Sequence, residues 1–380
     1  MKNKSRDIFT EIFNRQPEIS IHSPGRINLI GEHIDYYGGF VMPAAIDRYI
    51  GLSIGKTLAE SCSVYSAAYH EKYSIDISGV EQPIRAPWVR YFTMGLNVLA
   101  ESGFHTRAFN LTIDSDLPTG AGLSSSAALL TGFIEILSVL NKWSMAREKI
   151  ALLAQTIEHR LGTPCGLMDQ YASLFGKKDC FILLDCANLK YREIHVRLGD
   201  YRLRLYNTKV HHELTDGGYS SRRKQGEAAL EELKSFYSKG GSYRDFTMSE
   251  LDQMPIFDPI QYKRAKHAIT EHQRVHEFAH AVDKNNFETA GSLLYATHQS
   301  LKDDYEVSCV EADHIVEIAK LEGIAGARMM GGGFGGCVLC LMDKKYEEPF
   351  NHHLFKSYRK RFGFDPELIE FELGEREIYL

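Results

Sequence analysis

Apolar residues recur along this chain at two spacings. After an opening amphipathic helix, EISIHSPGRINLIG, RYIGLSIGKT, SCSVYSAAY and KYSIDISG alternate apolar and polar side chains over short runs, with turn residues between them. That period of two predicts an N-terminal sheet. APWVRYFTMGLNVLAESG shifts to helical spacing, AFNLTIDSDL returns to a strand, and LLTGFIEILSVLN and SMAREKIALLAQTIEHRL predict two long helices. Beyond these, DCFILLDC and YRLRLYNTK read as strands, and most of 217–237, 257–303 and 309–322 as helix. ARMM, GCVLCLM, NHHLFKSYRKRF and ELIEFEL close the pattern as strand, strand, helix and strand. The order is mixed rather than strictly alternating, which predicts α+β layers in two lobes, 1–198 and 199–380, parted near the Gly199-Asp200 turn. The sequence carries no internal repeat and no low-complexity tract.

Composition narrows the function classes. A chain of 380 residues with 44% hydrophobic content fills one large or two ordinary cores. A formal net charge of −6 argues against a general nucleic-acid binder. The densest basic run, KSYRKR at 356–361, fits the exposed face of a late helix. Seven scattered cysteines (62, 165, 180, 186, 309, 337 and 340) suit a reducing compartment rather than a disulfide framework. The N-terminus lacks a signal-peptide core and no apolar run reaches 18 residues, so a cytoplasmic protein with no membrane partner is the expectation.

Three constellations carry candidate chemistry. In LPTGAGLSSSAALLTGF (117–133), Gly120 and Gly122 permit close backbone approach, Ser124, Ser125 and Ser126 supply hydroxyls, and Ala127 opens an apolar helix. A helix start of this kind holds a phosphate on its free N–H groups, with a serine in reach of Mg²⁺; the alternative is that the serines cap a buried helix. No Gly-Lys-Ser/Thr follows, so this is not a Walker loop. In ARMMGGGFGGCVLCL (327–341), Gly331, Gly333 and Gly336 match a dinucleotide fingerprint, but a strand follows where a helix is required. The segment is either a glycine hairpin lying close to a ligand or to the first glycine loop, or plain strand-turn-strand packing. Cys337 and Cys340, three apart on a strand, face opposite ways and make a poor metal pair. Third, Asp169 sits among apolar positions in an expected helix, where it is either a structural residue or a functional base. Arg26, in SPGRINLIGEHIDYYGGF (23–40), is a cation that could keep such a carboxylate ionised. The same stretch gathers Glu32, His33 and Asp35 beside a glycine-bounded turn.

On these residues the chain resembles the galactokinases, within the superfamily of galactokinase, homoserine kinase, mevalonate kinase and phosphomevalonate kinase. GRINLIGEHIDYYGG is similar to that family's sugar signature, LPTGAGLSSSAA to its phosphate loop, CGLMDQYASLFGKKD to its catalytic-Asp segment and RMMGGGFGGC to its C-terminal glycine motif. NTKVHHELTDGGYSSRRKQGEAA, KHAITEHQRV and HQSLKDDYEVSCVEAD extend the likeness over residues 22–341. The resemblance implies a two-lobed fold and ATP-dependent phosphorylation of the 1-hydroxyl of galactose, giving α-galactose 1-phosphate and ADP. It implies that Glu32, His33, Asp35, the Gly166 backbone and Tyr219 bind the sugar, that Asp169 and Arg26 act in catalysis, and that Ser126 and Glu158 hold Mg²⁺. A monomer is expected. The segment from Glu158 to Asp169 is one residue shorter than the family pattern. Ile34 and Tyr37 stand where GEHTDYN has Thr and Asn, and Met330 where RMTGAGFGG has Thr. Because N-acetylgalactosamine kinases also carry Ile at the first position, a related sugar 1-kinase is an alternative, as is a non-catalytic galactose and ATP sensor. Trp88 and Tyr91 either line an adenine pocket or pack the core.

Overall fold

The computed structural model describes residues 4–77, 86–118, 121–163, 165–211, 218–255 and 258–380. The chain opens with α1 (Lys4–Phe13) and builds β1 (Ile19–Asn28), β2 (Phe40–Val41), β3 (Pro43–Lys56), β4 (Cys62–Ser66), β5 (Glu71–Ile75), α2 (Arg90–Glu101) and β6 (Phe109–Ser115). Three helices follow, α3 (Ser125–Leu140), α4 (Arg147–Arg160) and α5 (Met168–Phe175), then β7 (Cys180–Asp185), β8 (Lys190–His195) and β9 (Tyr201–His211). The rest is α6 (Gly218–Tyr237), α7 (Met248–Asp252), α8 (Pro259–Asp283), α9 (Phe287–Asp303), α10 (Val310–Leu321), β10 (Gly326–Met330), β11 (Gly335–Asp343), α11 (Glu347–Phe362), β12 (Glu367–Glu370) and β13 (Glu377–Tyr379).

The strands form three sheets, ordered β13-β1-β3-β6-β4-β5, β10-β11-β9-β12 and β2-β7-β8. Among the described strands only the β4–β6 pairing is parallel. The turn at 199–200 falls between β8 and β9, while the chain's last strand returns to pair with β1 in the first sheet. Every residue of β1 is buried, so this strand carries polar groups inward where a surface strand would show alternation.

Helix α3 is apolar on nearly all sides because it packs against β1 and β3 and also against α4 and α5. One core cluster fills the space around these elements and continues into the second lobe through Leu203, Leu205 and Leu339. Another, containing Tyr206, Ile315, Val338, Phe350 and Tyr358, lies between the four-stranded sheet and α10 and α11. Cys337 belongs to the first cluster and Cys340 to the second, as residues three apart on a strand must. The basic run on α11 points Lys356, Arg359, Lys360 and Arg361 outward while Tyr358 is buried. All seven cysteines are free. Among the described residues no helix is long and apolar enough to cross a membrane.

Candidate active site

The first functional side chain is positioned by an irregularity in β1. Register against β3 shifts between Pro24 and Arg26. Gly25 sits at this step, where a Cβ would stand 2.4 Å from Leu117 and 3.0 Å from the Leu123 carbonyl. The bare backbone therefore lets the 121–124 turn lie against the strand, and the Arg26 amide donates to the Leu123 carbonyl at 3.2 Å. Arg26, with its side chain 7% exposed, donates from Nε to Asp169 Oδ1 at 2.7 Å and from Nη1 to the Gly122 carbonyl at 2.6 Å. Ser124 donates from Oγ to Asp169 Oδ2 at 2.6 Å. The acid on α5, the guanidinium on β1 and the serine turn ahead of α3 thus meet on one carboxylate.

The bonds of Ser124 and Ser126 run across the site rather than to the helix start. Ser124 precedes α3 in a left-handed conformation, φ 57°, and its side chain does not cap the helix. Its hydroxyl is spent on Asp169, and that of Ser126 on Glu158 Oε1 at 2.5 Å. Ala127 is buried in the first turn of α3, Ser125 begins the helix, and Gly122 takes a positive φ of 68°. Gly120 lies outside the described residues. The start of α3 therefore keeps backbone donors available for an anion.

Glu158, near the end of α4, is buried, and its described partners are all neutral: Ser126, Cys165 at 3.5 Å and the Gln170 amide. Burial, aided by the nearby Asp169 charge, pushes its carboxyl above the ordinary range, against the hydrogen bonds from Ser126, Cys165 and Gln170 that favour the ionised form. A buried carboxylate with no cationic partner among the described residues, joined to a serine hydroxyl, is a donor set that suits a hard divalent cation. The other potential ligand group among the described residues, Cys180, Glu193 and His195, lies on β7 and β8 outside the cavity lining, and Lys177 already engages its Glu193.

On the far side of Asp169, a cavity of about 420 Å³ is lined by Arg26, Glu32, His33, Asp35, Gly166, Tyr219 and the Gly331-Gly332 turn, among others. Its polar wall is the 29–39 loop, and the second lobe holds that loop in place. Glu271 of α8 accepts from the Gly31 amide at 2.8 Å, and His267 of α8 donates to the Glu32 carbonyl at 3.0 Å. Arg328 on β10 is wholly buried; it donates to the carbonyls of Asn28 and Leu29 and, through Nη1 and Nη2 at 3.0 Å each, to Glu32 Oε1. The Gly331 amide is a third donor to that oxygen, at 2.8 Å. All of these described bonds fall on Oε1, which leaves Oε2 for a ligand.

His33 takes a left-handed φ of 61°, a conformation rare outside glycine that concentrates at functional positions. Its Nδ1 pairs with the Tyr36 hydroxyl at 2.9 Å, while its buried Nε2 has no hydrogen-bond partner among the described residues. Burial, with His267 and Arg328 nearby, pulls its pKa down to about 3, so the ring is neutral. The ring packs against Tyr305 at 4.7 Å and Tyr219 of α6 at 5.5 Å. Asp35 is pushed up to about 7 by burial and then by the charge of Asp169. A Cβ on Gly166 would sit 1.8 Å from Asp35 Oδ2, so only glycine lets the two segments meet.

The structure joins Arg26 and Ser124 on Asp169 and Ser126 on Glu158, and lines the cavity with Glu32, His33, Asp35, Gly166 and Tyr219; Arg328, Tyr36, Tyr305, Cys165 and Gln170 add contacts that the motifs do not mark. An arginine inside the otherwise apolar strand ARMM was the available signal for Arg328. Three substitutions that distinguish the sugar signature and glycine motif lie off the cavity wall. Ile34 is buried, Tyr37 donates to the Arg223 carbonyl at 3.0 Å, and Met330 Sδ accepts from the Asn28 amide at 3.3 Å. Trp88 packs against Tyr69, Tyr73 and Phe92, and neither it nor Tyr91 lines the cavity.

Comparison with known proteins gives a consistent result. Residues 7–56 match the galactokinase galactose-binding signature, 90–177 the GHMP kinases N terminal domain and 278–352 the GHMP kinases C terminal domain. A galactokinase of Thermotoga maritima is 36% identical over 94% of this chain and 99% of its own length. One from Staphylococcus carnosus is 35% identical over 100% of this chain and 98% of its own. The crystal structure of Lactococcus lactis galactokinase complexed with galactose superposes with a TM-score of 0.91 at 31% identity, covering 99% of both chains. A mevalonate kinase structure, 19% identical with a TM-score of 0.65 over 94% of this chain and 99% of its own, shares the fold. By sequence along almost its whole length and by three-dimensional arrangement, the chain belongs to the galactokinase family of GHMP kinases.

Proposed function

We propose that this chain transfers the γ-phosphoryl group of ATP to the anomeric 1-hydroxyl of galactose, giving α-galactose 1-phosphate and ADP. The observation that carries the reading is the single carboxylate of Asp169, bound by Arg26 and by Ser124 of the serine turn and facing a cavity walled by Glu32, His33 and Asp35. The division of labour follows the two lobes: residues 1–198 supply the proton acceptor, the phosphate turn and most sugar ligands, and 199–380 supply Tyr219 and the groups that brace them.

Asp169 accepts the proton of the 1-hydroxyl while that oxygen forms its bond to the γ-phosphorus. The bond from that phosphorus to the bridging oxygen breaks, and its electron pair leaves with ADP. Each oxygen of Asp169 has a described donor, and each keeps a lone pair for the incoming hydroxyl. Arg26 offsets charge on the transferring group, and the free amides at the start of α3 receive ATP phosphate oxygens. Ser126 and Glu158 would hold Mg²⁺, which when bound supplies charge neutralisation on the phosphates.

The free oxygen of Glu32, the unpartnered Nε2 of His33 and the carboxyl of Asp35 bind sugar hydroxyls, with the Gly166 backbone and Tyr219 completing the wall. Such groups reject an epimer because an unmatched buried polar partner costs about 1–3 kcal/mol. The position of Ile34 and Tyr37 away from the cavity favours galactose over the N-acetylgalactosamine alternative that those residues raise.

Coupled ADP release over a panel of monosaccharides, with ³¹P NMR of the product, tests the reading. Galactose is the preferred acceptor and the phosphate is on carbon 1; preference for another sugar, or binding of galactose and ATP without turnover, refutes it. Asp169→Asn binds galactose and loses about 100-fold or more in kcat; a loss under tenfold removes Asp169 from its role.

A further inference from the structure

Outside the cavity lining lies a further buried arginine that neither the sugar contacts nor the proton transfer use. Arg376 immediately precedes β13, and its side chain is only 1% exposed. Its Nη2 lies 2.6 Å from Ser23 Oγ, 2.6 Å from Thr131 Oγ1 and 2.8 Å from Ser173 Oγ. Nε donates to the Ser173 carbonyl at 3.0 Å, and Nη1 to Glu135 Oε2 at 2.7 Å. Burial pulls the guanidinium down to about 10, with Glu135 opposing, so it is charged at neutral pH.

The three hydroxyls belong to the three elements that build the catalytic centre. Ser23 is on β1, three positions before Arg26. Ser173 is one helical turn beyond Asp169 on α5. Thr131 is on α3, the helix that begins with the serine turn. Each hydroxyl passes its own proton to a backbone carbonyl: Ser23 to Ala128 at 2.6 Å, Thr131 to Ala127 at 2.7 Å, and Ser173 to Pro24 at 2.9 Å. They therefore meet the guanidinium as acceptors, and Nη2 shares its two protons among three oxygens. The bonds from Ser23 and Ser173 already tie β1 to α3 and α5 to β1, and the guanidinium joins all three at one point.

We propose that Arg376 is a positioning residue, a clamp that fixes β1, α3 and α5 relative to one another and thereby sets the Arg26–Asp169–Ser124 geometry. The proposal rests on the assignment of Asp169 as proton acceptor. A group that fixes the spacing of reacting partners acts on kcat, because small displacements of a catalytic group cost rate while the sugar wall, built on a different loop, keeps its affinity.

Steady-state kinetics and galactose calorimetry on the full chain test it with Arg376→Ala, Arg376→Lys and Asp169→Asn. In Arg376→Ala, kcat falls about 100-fold while the galactose dissociation constant and KM change less than about threefold, and millimolar guanidinium chloride restores part of kcat. The same addition does nothing for Asp169→Asn. Arg376→Lys keeps a charge beside Glu135 but lacks the fork that reaches three hydroxyls; it folds and loses more than about tenfold in kcat. If Arg376→Ala does not fold, Arg376→Lys decides alone. A folded Arg376→Lys with wild-type kcat overturns the clamp, as does a loss in Arg376→Ala that guanidinium fails to restore and that matches the unfolded fraction by circular dichroism. An active Asp169→Asn beside impaired Arg376 variants overturns the proton-acceptor assignment instead.

Discussion

The sharpest thermodynamic consequence of the site concerns Asp35. Its carboxyl is held near 7, against an ordinary 3.8, by burial and then by the charge of Asp169. Between these values the folded chain keeps a proton that the unfolded chain has lost. Folding stability therefore falls as pH rises through this window, by about 1.36 kcal/mol per pH unit for this one group. The term is fully present below pH 3.8, and above about 7 the fold carries the whole penalty of an ionised Asp35. The span sets that penalty at no more than about 4 kcal/mol. Asp35→Asn keeps the shape and removes the charge. Measured by urea unfolding with linear extrapolation at pH 5, 6, 7 and 8, the stability of the variant relative to the parent climbs with pH and levels off above 7. The same variant binds galactose more weakly, the usual exchange of stability for function at a site of convergent charge. A stability difference that does not vary with pH, or a variant less stable than the parent at pH 8, refutes the account.

Other perturbations separate the parts of the site. Gly166→Ala drives a methyl into Asp35; it raises KM for galactose by about 10- to 100-fold, the worth of a hydrogen bond to a charged group, and leaves KM for ATP within about twofold. Initial-rate kinetics with each substrate varied in turn would show both. Glu158→Gln raises the Mg²⁺ concentration for half-maximal rate by about tenfold or more at fixed ATP, read from a metal titration. Arg328→Met leaves Glu32 buried without its cation, so denaturant unfolding records a loss of about 3–5 kcal/mol.

Much of this was legible in the letters, for local reasons. β1, β3, α3, α4 and the long helices α8 and α9 announce themselves by period, and the glycines and serines of 117–133 mark a turn before an apolar helix. β8 was missed because most of it is exposed and shows little alternation, and β2 and β13 because two or three residues are too few to carry a pattern. At the site, Arg26, Asp169, Glu158 and the serines stand out because each lies in a compact motif. Arg328, His267 and Glu271 were not assigned roles, since their effect depends on contacts to a loop 235 to 300 positions away in sequence. Arg376 sits in a polar tail, GERE, that has every mark of a solvated end; only the fold turns it inward.

The return of the final strand to β1 orders events during synthesis. Ser23 and Arg376 are 353 positions apart, so the edge of the sheet that bears Arg26 stays open until translation has passed every other described element. A nascent chain can complete its nucleotide turn and both long helices of the second lobe and still lack the last support behind its proton acceptor. Removing the residues from Arg376 through Tyr379 would leave every other described element in place around a slack catalytic centre.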